Sequence, residues 1–251
     1  MTQLRKRLAD AGIRRVPWLT VAVFVLTAVP SGAQAVLPSV LADLGRTPAG
    51  LTGQWWRSLT SLTVQDGGVL GTLSNLLFLL VIGAIAEQVL TRPRWLALYL
   101  LPGLAGEFVA YSWQPTGAGN SVAVSGLAGA LAVLMLRDGL SPSGALSADR
   151  PQRLPAAAPY AQLLWVGALV ATASEIAGGL IIAATCVLPR LAGARHLPVA
   201  VIAGAAVVAC GVALAADQDI HGAALLAGAL LGWVIAMCGT VQAARPAPLR
   251  R

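Results

Sequence analysis

Long apolar segments separated by short polar or basic stretches dominate the pattern along this 251-residue chain. The segments are rich in Ala, Leu and Gly, and most approach the roughly 20 residues that one bilayer crossing requires. They are residues 16–37, 69–90, 95–113, 119–137, 160–188, 199–216 and 217–239. Because alternating strand patterns are few, the pattern predicts an all-α, polytopic transmembrane helical bundle that forms a single domain, residues 1–251.

Composition supports a membrane location. Hydrophobic residues make up 57% of the chain and charged residues 11%, so the apolar surface is too extensive for a soluble globule and the lipid bilayer is an expected partner. The net charge of +7 does not indicate nucleic-acid binding, since the basic residues sit in short clusters beside apolar segments. Such clusters are typical of cytoplasmic loops.

The same clusters predict an orientation. We expect a cytoplasmic N-terminus at residues 1–15, a cytoplasmic loop at 138–157, a basic cytoplasmic tail at 242–251 and an outer loop at 38–68. This arrangement describes an integral protein of a bacterial plasma membrane. The basic start and the small-residue end of the first segment also fit a signal peptide, although the many later segments favour a retained span.

Several polar residues stand inside or beside the apolar segments. Trp56 and Arg57 suit the membrane interface or a folded outer loop. Asn75, in the second span, is either a helix-packing amide or a hydrogen-bond donor to an oxyanion. Glu107 and Glu175 are the carboxylates that a transporter hypothesis would use, but no internal repeat supports that hypothesis.

The cysteines and histidines limit the possible chemistry. Cys186, Cys210 and Cys238 lie in apolar segments without metal-ligand spacing, so no disulfide framework, metal or cofactor is expected. Of the two histidines, His196 belongs to a basic turn, which leaves His221 as the candidate general base.

A serine in the fourth span is the candidate nucleophile. Ser125 is surrounded by small residues, including Gly126, which allow a helix or a substrate backbone to come close. His221 shares one helical face with Gly228 and Gly232, so it can dock against another helix. The alternative is that these small residues serve only the ordinary close packing of membrane helices.

The combination of these features resembles the rhomboid family of intramembrane serine proteases. The resemblance covers most of residues 55 to 240 and rests on WWR in the outer loop, Asn75, the Ser125–Gly126 pair, H-x6-G-x3-G in the last span, YLLPGLAG in the third span, and the spacing of Gly83 and Glu87. It implies a Ser–His dyad without an acid member, with Ser125 as nucleophile, His221 as general base and Asn75 in the oxyanion hole. The implied substrate is a transmembrane protein cut near the outer membrane face.

Three positions depart from the family pattern. Ala123 stands where the family has a glycine two residues before the serine, and Gly129 stands where an aromatic residue four after it is common. Gly71 replaces a histidine four residues before the asparagine, which removes one oxyanion donor. A non-catalytic rhomboid-like protein that binds transmembrane helices is therefore the alternative function.

The resemblance also predicts a topology. Because the span that carries Ser125 runs inward, Ser125 and His221 can meet only if the chain after that span crosses the membrane an odd number of times. We therefore expect residues 160–188 to turn back near TASEIAGG as a hairpin or re-entrant segment. The fold is then a six-span core with an extra apolar segment between the fourth span and the last two, and it leaves every Lys and Arg except Arg46 and Arg57 on the cytoplasmic side.

Overall fold

The computed structural model describes residues 15–140, 154–192 and 196–243 and consists of helices joined mostly by short turns. The α-helices in these ranges are α1 (Trp18–Ala33), α2 (Ser39–Leu44), α3 (Arg57–Thr60), α4 (Gly68–Val89), α5 (Arg92–Trp113), α6 (Ser121–Leu140), α7 (Ala158–Ala173), α8 (Glu175–Ala192), α9 (His196–Ala216) and α10 (Ile220–Ala243). Most of the predicted cytoplasmic N-terminus, the loop at 138–157 and the C-terminal tail lie outside the described residues.

The protein is a helical membrane bundle. Four of the described helices are long and apolar enough to cross a bilayer, namely α4, α6, α9 and α10, and shorter apolar helices accompany them. In α6, 72% of the apolar stretch is buried, compared with 28–39% in the other three helices. The helix that carries Ser125 is therefore the central helix of the bundle.

A carboxylate from α4 caps the first helix. Pro17 precedes α1 and provides no side-chain cap, but Glu87 accepts hydrogen bonds from the backbone amides of Leu19 and Thr20 and from the Thr20 hydroxyl. These first-turn amides have no partner within their own helix, and the positive end of the helix dipole favours a carboxylate there. This contact fixes α1 against α4 as an element of the bundle.

Glycines bring α6 and α10 into direct backbone contact. A side chain at Gly228 would collide with the backbone of Gly126, and one at Gly232 would collide with Ala130. Gly129 faces the backbone of Leu225 in the same way. The contacts advance in the same direction along both helices, so α6 and α10 are parallel and begin at the same end of the bundle, which we call the Ser121 end.

The apolar segment 160–188 forms a helical hairpin. α7 ends at Ala173, Ser174 is extended with φ −151° and ψ 104°, and α8 begins at Glu175. Gly178 lies against Ala171, and Gly167 lies against Ile182, as expected for antiparallel helices. The turn falls within the predicted TASEIAGG sequence, and the hairpin is the extra segment between the fourth span and the last two.

The predicted outer loop, residues 38–68, is folded at the Ser121 end. It contains α2, α3 and short 3-10 helices at Pro48–Thr52 and Ser61–Thr63. Arg57 donates hydrogen bonds to the carbonyls of Ala42 and Gly45 and to the side chain of Gln54, so it holds the loop's turns together. Trp56, at 42% exposure, projects from the loop surface, where an aromatic ring suits a membrane interface.

Candidate active site

Two loops at the Ser121 end are joined by backbone hydrogen bonds. Arg46 and Gly117 exchange amide-to-carbonyl bonds, and Gly119 donates to the carbonyl of Ser61. Asp66 accepts from the amide of Ala118 through its carboxylate and donates to the Ala118 carbonyl through its own amide. These bonds fix the turn at residues 117–120, which leads directly into α6.

The histidine of α10 contacts the first residue of α6. His221 Nε2 lies 2.9 Å from Ser121 Oγ. Ser121 is 8% exposed, whereas the His221 side chain is 21% exposed. The pair therefore lies at the entrance of the bundle with one polar side facing outward.

Ser125, the serine expected to contact His221, does not do so. Its Oγ is fully buried and has no hydrogen-bond partner among the described residues. Ser125 lies one turn after Ser121, about 6 Å further along the helix axis. Because α6 and α10 are parallel and start together, a histidine at the second position of α10 meets the first turn of α6 rather than the second.

Asp219 completes a chain of hydrogen bonds with His221. The Asp219 Oδ1 atom lies 2.6 Å from His221 Nδ1 and also accepts from the His221 backbone amide at 2.8 Å. Burial raises the pKa of Asp219, but the hydrogen bonds and charge of His221 outweigh burial and leave that pKa below its usual value. Sequence reasoning had not singled out Asp219, although an Asp just before a helix is a recognisable capping signal.

Three amide side chains form a hydrogen-bonded group beside Ser121. Asn75 Nδ2 donates to Gln65 Oε1 at 2.8 Å, and Gln65 Nε2 donates to Asn120 Oδ1 at 2.7 Å. Asn120 in turn donates to the backbone carbonyl of Asn75 at 3.4 Å. Asn75 Nδ2 keeps a second N–H, since a primary amide has two donors.

Gly119 lies beside both the amide group and Ser121. A side-chain carbon at Gly119 would lie 3.1 Å from Ser121 Oγ and 3.6 Å from Asn75 Nδ2. The absence of a side chain leaves that space open next to the hydroxyl. Gly119 also stands two residues before Ser121, so the departure noted at Ala123 applies only to a site built on Ser125.

The other two departures from the family pattern concern the missing aromatic residue and the missing histidine. Four residues after Ser121 stands Ser125 rather than an aromatic residue, and Gly129 is occupied with helix packing against Leu225. Gly71 still lacks a hydrogen-bonding side chain one turn before Asn75, and a side-chain carbon built there meets nothing within 4 Å.

A cavity of about 480 Å³ adjoins Ser121 and His221. Its wall includes Glu107, whose carboxylate pairs with the guanidinium of Arg46 and accepts from Ser61 Oγ at 2.9 Å. Glu107 is thus part of a buried ion pair, whereas Glu175 is exposed at the start of α8. Among the described residues, no group of three or more His, Cys, Asp or Glu side chains is placed to hold a metal ion.

The fold and the site together define a polytopic helical membrane protein with a hydrogen-bonded serine and histidine at one end of the bundle. Residues 52–171 match the Rhomboid domain. This match supports membership of the rhomboid family. The matched region includes Asn75 and Ser121 and ends before His221.

A curated relative is similar over part of the chain. The chain is 33% identical over 85 residues to the Rhomboid protease GluP of Bacillus subtilis (strain 168). The aligned residues are 34% of this chain, and they span only 17% of the length of that relative.

Proposed function

We propose that this protein is an intramembrane serine protease in which Ser121, rather than Ser125, is the nucleophile and His221 is the general base. The observation that carries the proposal is the 2.9 Å contact between His221 Nε2 and Ser121 Oγ. A serine hydroxyl needs a base at hydrogen-bond distance to become a nucleophile. The match to the Rhomboid domain supports the same reaction class.

The reaction begins with attack of Ser121 Oγ on a peptide carbonyl carbon, while His221 Nε2 takes the hydroxyl proton. The tetrahedral intermediate then breaks its C–N bond, and His221 gives the proton to the departing amine. Water attacks the resulting ester, its proton passes to His221, and Ser121 regains a proton as the new carboxyl group leaves. The reaction needs no metal or cofactor.

The oxyanion of the intermediate needs hydrogen-bond donors near Ser121. The free N–H of Asn75 Nδ2 is one donor, because it lies beside the open space at Gly119. The Ser121 backbone amide is the other. It belongs to the first turn of α6, where Val124 N to Asn120 O is the first helical hydrogen bond, and such amides favour negative charge.

The substrate in this proposal is a transmembrane protein cut near the membrane surface, since the site lies at one end of the spanning helices. The basic residues Arg15, Arg92, Arg94 and Arg137 lie at or near the opposite ends of their helices. This distribution favours a cytoplasmic N-terminus and an outward-facing Ser121 end in a bacterial plasma membrane.

The test is proteolysis of a panel of single-span membrane proteins by the full chain in liposomes. We expect Ser121→Ala and His221→Ala to abolish cleavage about equally, with no further loss in the double variant, because the pair acts as one unit. Ser125→Ala is the matched control and should retain cleavage, since removing a buried hydroxyl without a partner leaves no other group unpaired.

Two results would contradict this assignment. Cleavage that survives in Ser121→Ala but is lost in Ser125→Ala would return the nucleophile to Ser125. Binding of the panel proteins without cleavage by the wild type would favour the non-catalytic alternative, which the missing donor at Gly71 supports.

A further inference from the structure

We infer that Asp219 is a positioning residue that converts the Ser121–His221 pair into a serine–histidine–aspartate triad. The inference rests on the proposed protease function but concerns a residue outside the implied dyad. It assigns a role to a carboxylate that touches the imidazole on the side opposite to the serine.

The hydrogen-bond geometry fixes which ring nitrogen carries the proton. An ionised carboxylate can only accept hydrogen bonds, so the 2.6 Å contact with Asp219 Oδ1 requires a proton on His221 Nδ1. In the neutral imidazole, Nε2 is then an acceptor, and the Ser121 hydroxyl donates to it across 2.9 Å. This is the tautomer that a general base needs.

The surroundings keep Asp219 ionised. Its lowered pKa leaves it negatively charged throughout the pH range in which an ordinary imidazole gains a proton, near pH 6.5. Other charged groups around His221 are Glu107 in α5, which is paired with Arg46, and Asp66 in the cavity wall. Cys210 of α9 lies within electrostatic range of Asp219. Among these groups, Asp219 makes the hydrogen bond to the ring.

The local backbone holds the carboxylate in place. Asp219 directly precedes α10, its amide donates to the carbonyl of Leu214, and its carbonyl accepts from Gly222. The preceding residue, Gln218, has a positive φ of 57°, which closes the turn between α9 and α10. Asp219 is therefore held in one orientation toward the ring.

The competing explanation is that Asp219 only caps α10, since its Oδ1 also accepts from the His221 amide. Asparagine and serine cap helices about as well as aspartate. Asp219→Asn and Asp219→Ser therefore preserve the cap but remove the charge, and Ser also lacks the reach to Nδ1. A pure capping role predicts unchanged chemistry in both variants.

The first measurement is the rate at which a fluorophosphonate probe reacts with the full chain in detergent across a range of pH. We expect both variants to react at least about 10²-fold more slowly at neutral pH, with unchanged unfolding temperatures, because loss of the acid member of a triad is costly. We also expect the acidic limb of the Asp219→Asn profile to move to lower pH. Wild-type rates in both variants would overturn the inference.

The second measurement does not depend on catalysis or on variants of Asp219. His196→Gln leaves His221 as the sole histidine, and ¹⁵N NMR of the labelled ring then reports which nitrogen carries the proton. A proton on Nδ1 at alkaline pH agrees with the triad, and a proton on Nε2 overturns it. If Ser121→Ala still cleaves the panel proteins at the wild-type rate, the protease assignment fails. The NMR result tests the Asp219 contact independently of that outcome.

Discussion

At the scale of single residues, the choice of Ser121 as the proposed nucleophile rests on which turn of α6 meets His221. Sequence reasoning favoured Ser125 because it is followed by Gly126 and surrounded by small residues. In the structure those small residues serve helix packing, while Ser121 stands at the helix start beside a polar turn. The signal that could have identified Ser121 was Gly119 two residues before it, together with the first-turn position.

His221 and Asn75, which the sequence singles out as rare polar groups near the ends of apolar spans, both lie at the Ser121 end. Gln65, Asn120 and Asp219 were missed. All three come from loops and turns. Gln65 and Asn120 converge through tertiary contacts between residues 46–66 and 117–120, whereas Asp219 is placed by the local turn before α10. No periodicity in the sequence encodes those contacts.

Removal of the Asn75 amide tests the oxyanion site. We expect Asn75→Ala to lower kcat on a cleaved panel protein by about 10²- to 10³-fold with little change in KM, since the donor acts mainly in the transition state. Steady-state kinetics in liposomes would measure this. Unchanged kcat accompanied by a lower unfolding temperature would instead make Asn75 a packing residue linked to Gln65.

At the scale of elements, the contact between Ser121 and His221 depends on how closely α6 and α10 approach. The spacing of His221, Gly228 and Gly232 predicted one docking face from helical periodicity alone. The structure identifies the helix that packs on this face, because Gly126 and Ala130 of α6 contact Gly228 and Gly232. The parallel direction of the two helices could not be read from either segment separately.

A methyl group at the docking face tests this dependence. We expect Gly228→Ala to destabilise the bundle by about 1–3 kcal/mol, because the added carbon collides with the Gly126 backbone. The same substitution should slow reaction of Ser121 with a fluorophosphonate by displacing His221. Both effects can be followed in detergent by unfolding and by labelling rate.

Gly179→Ala is the matched control, because the added carbon meets nothing within 4 Å in α8. It should leave labelling unchanged and leave stability unchanged or slightly raised, as expected for alanine in a helix. Equal behaviour of the two variants would contradict a role for glycine docking in building the site.

At the scale of the whole molecule, the number of crossings between Ser121 and His221 decides whether they can meet. Hydrophobic segments predicted the helical bundle, and the need for an odd number of crossings after the Ser125 span predicted the turn near TASEIAGG. The hairpin of α7 and α8 agrees with that reasoning, although the sequence left open whether the segment would be a hairpin or re-entrant. The folded outer loop could be anticipated only in outline.

Topology can be tested with single cysteines in a variant that lacks Cys186, Cys210 and Cys238. We expect Thr52→Cys to react with a membrane-impermeant thiol reagent in intact cells, while Ala192→Cys and Ala247→Cys remain unlabelled until the cells are opened. Labelling of all three from outside would contradict the predicted crossings. Labelling of positions 192 and 247 without position 52 would mean that the protein has the opposite orientation in the membrane.

The most direct test of the central claim is the location of the covalent adduct that a fluorophosphonate forms with the wild-type protein. Peptide mapping by mass spectrometry should find the adduct on Ser121, because that hydroxyl alone is hydrogen-bonded to an imidazole among the described residues. An adduct on Ser125, or a wild-type protein that forms none while remaining folded, would contradict the account.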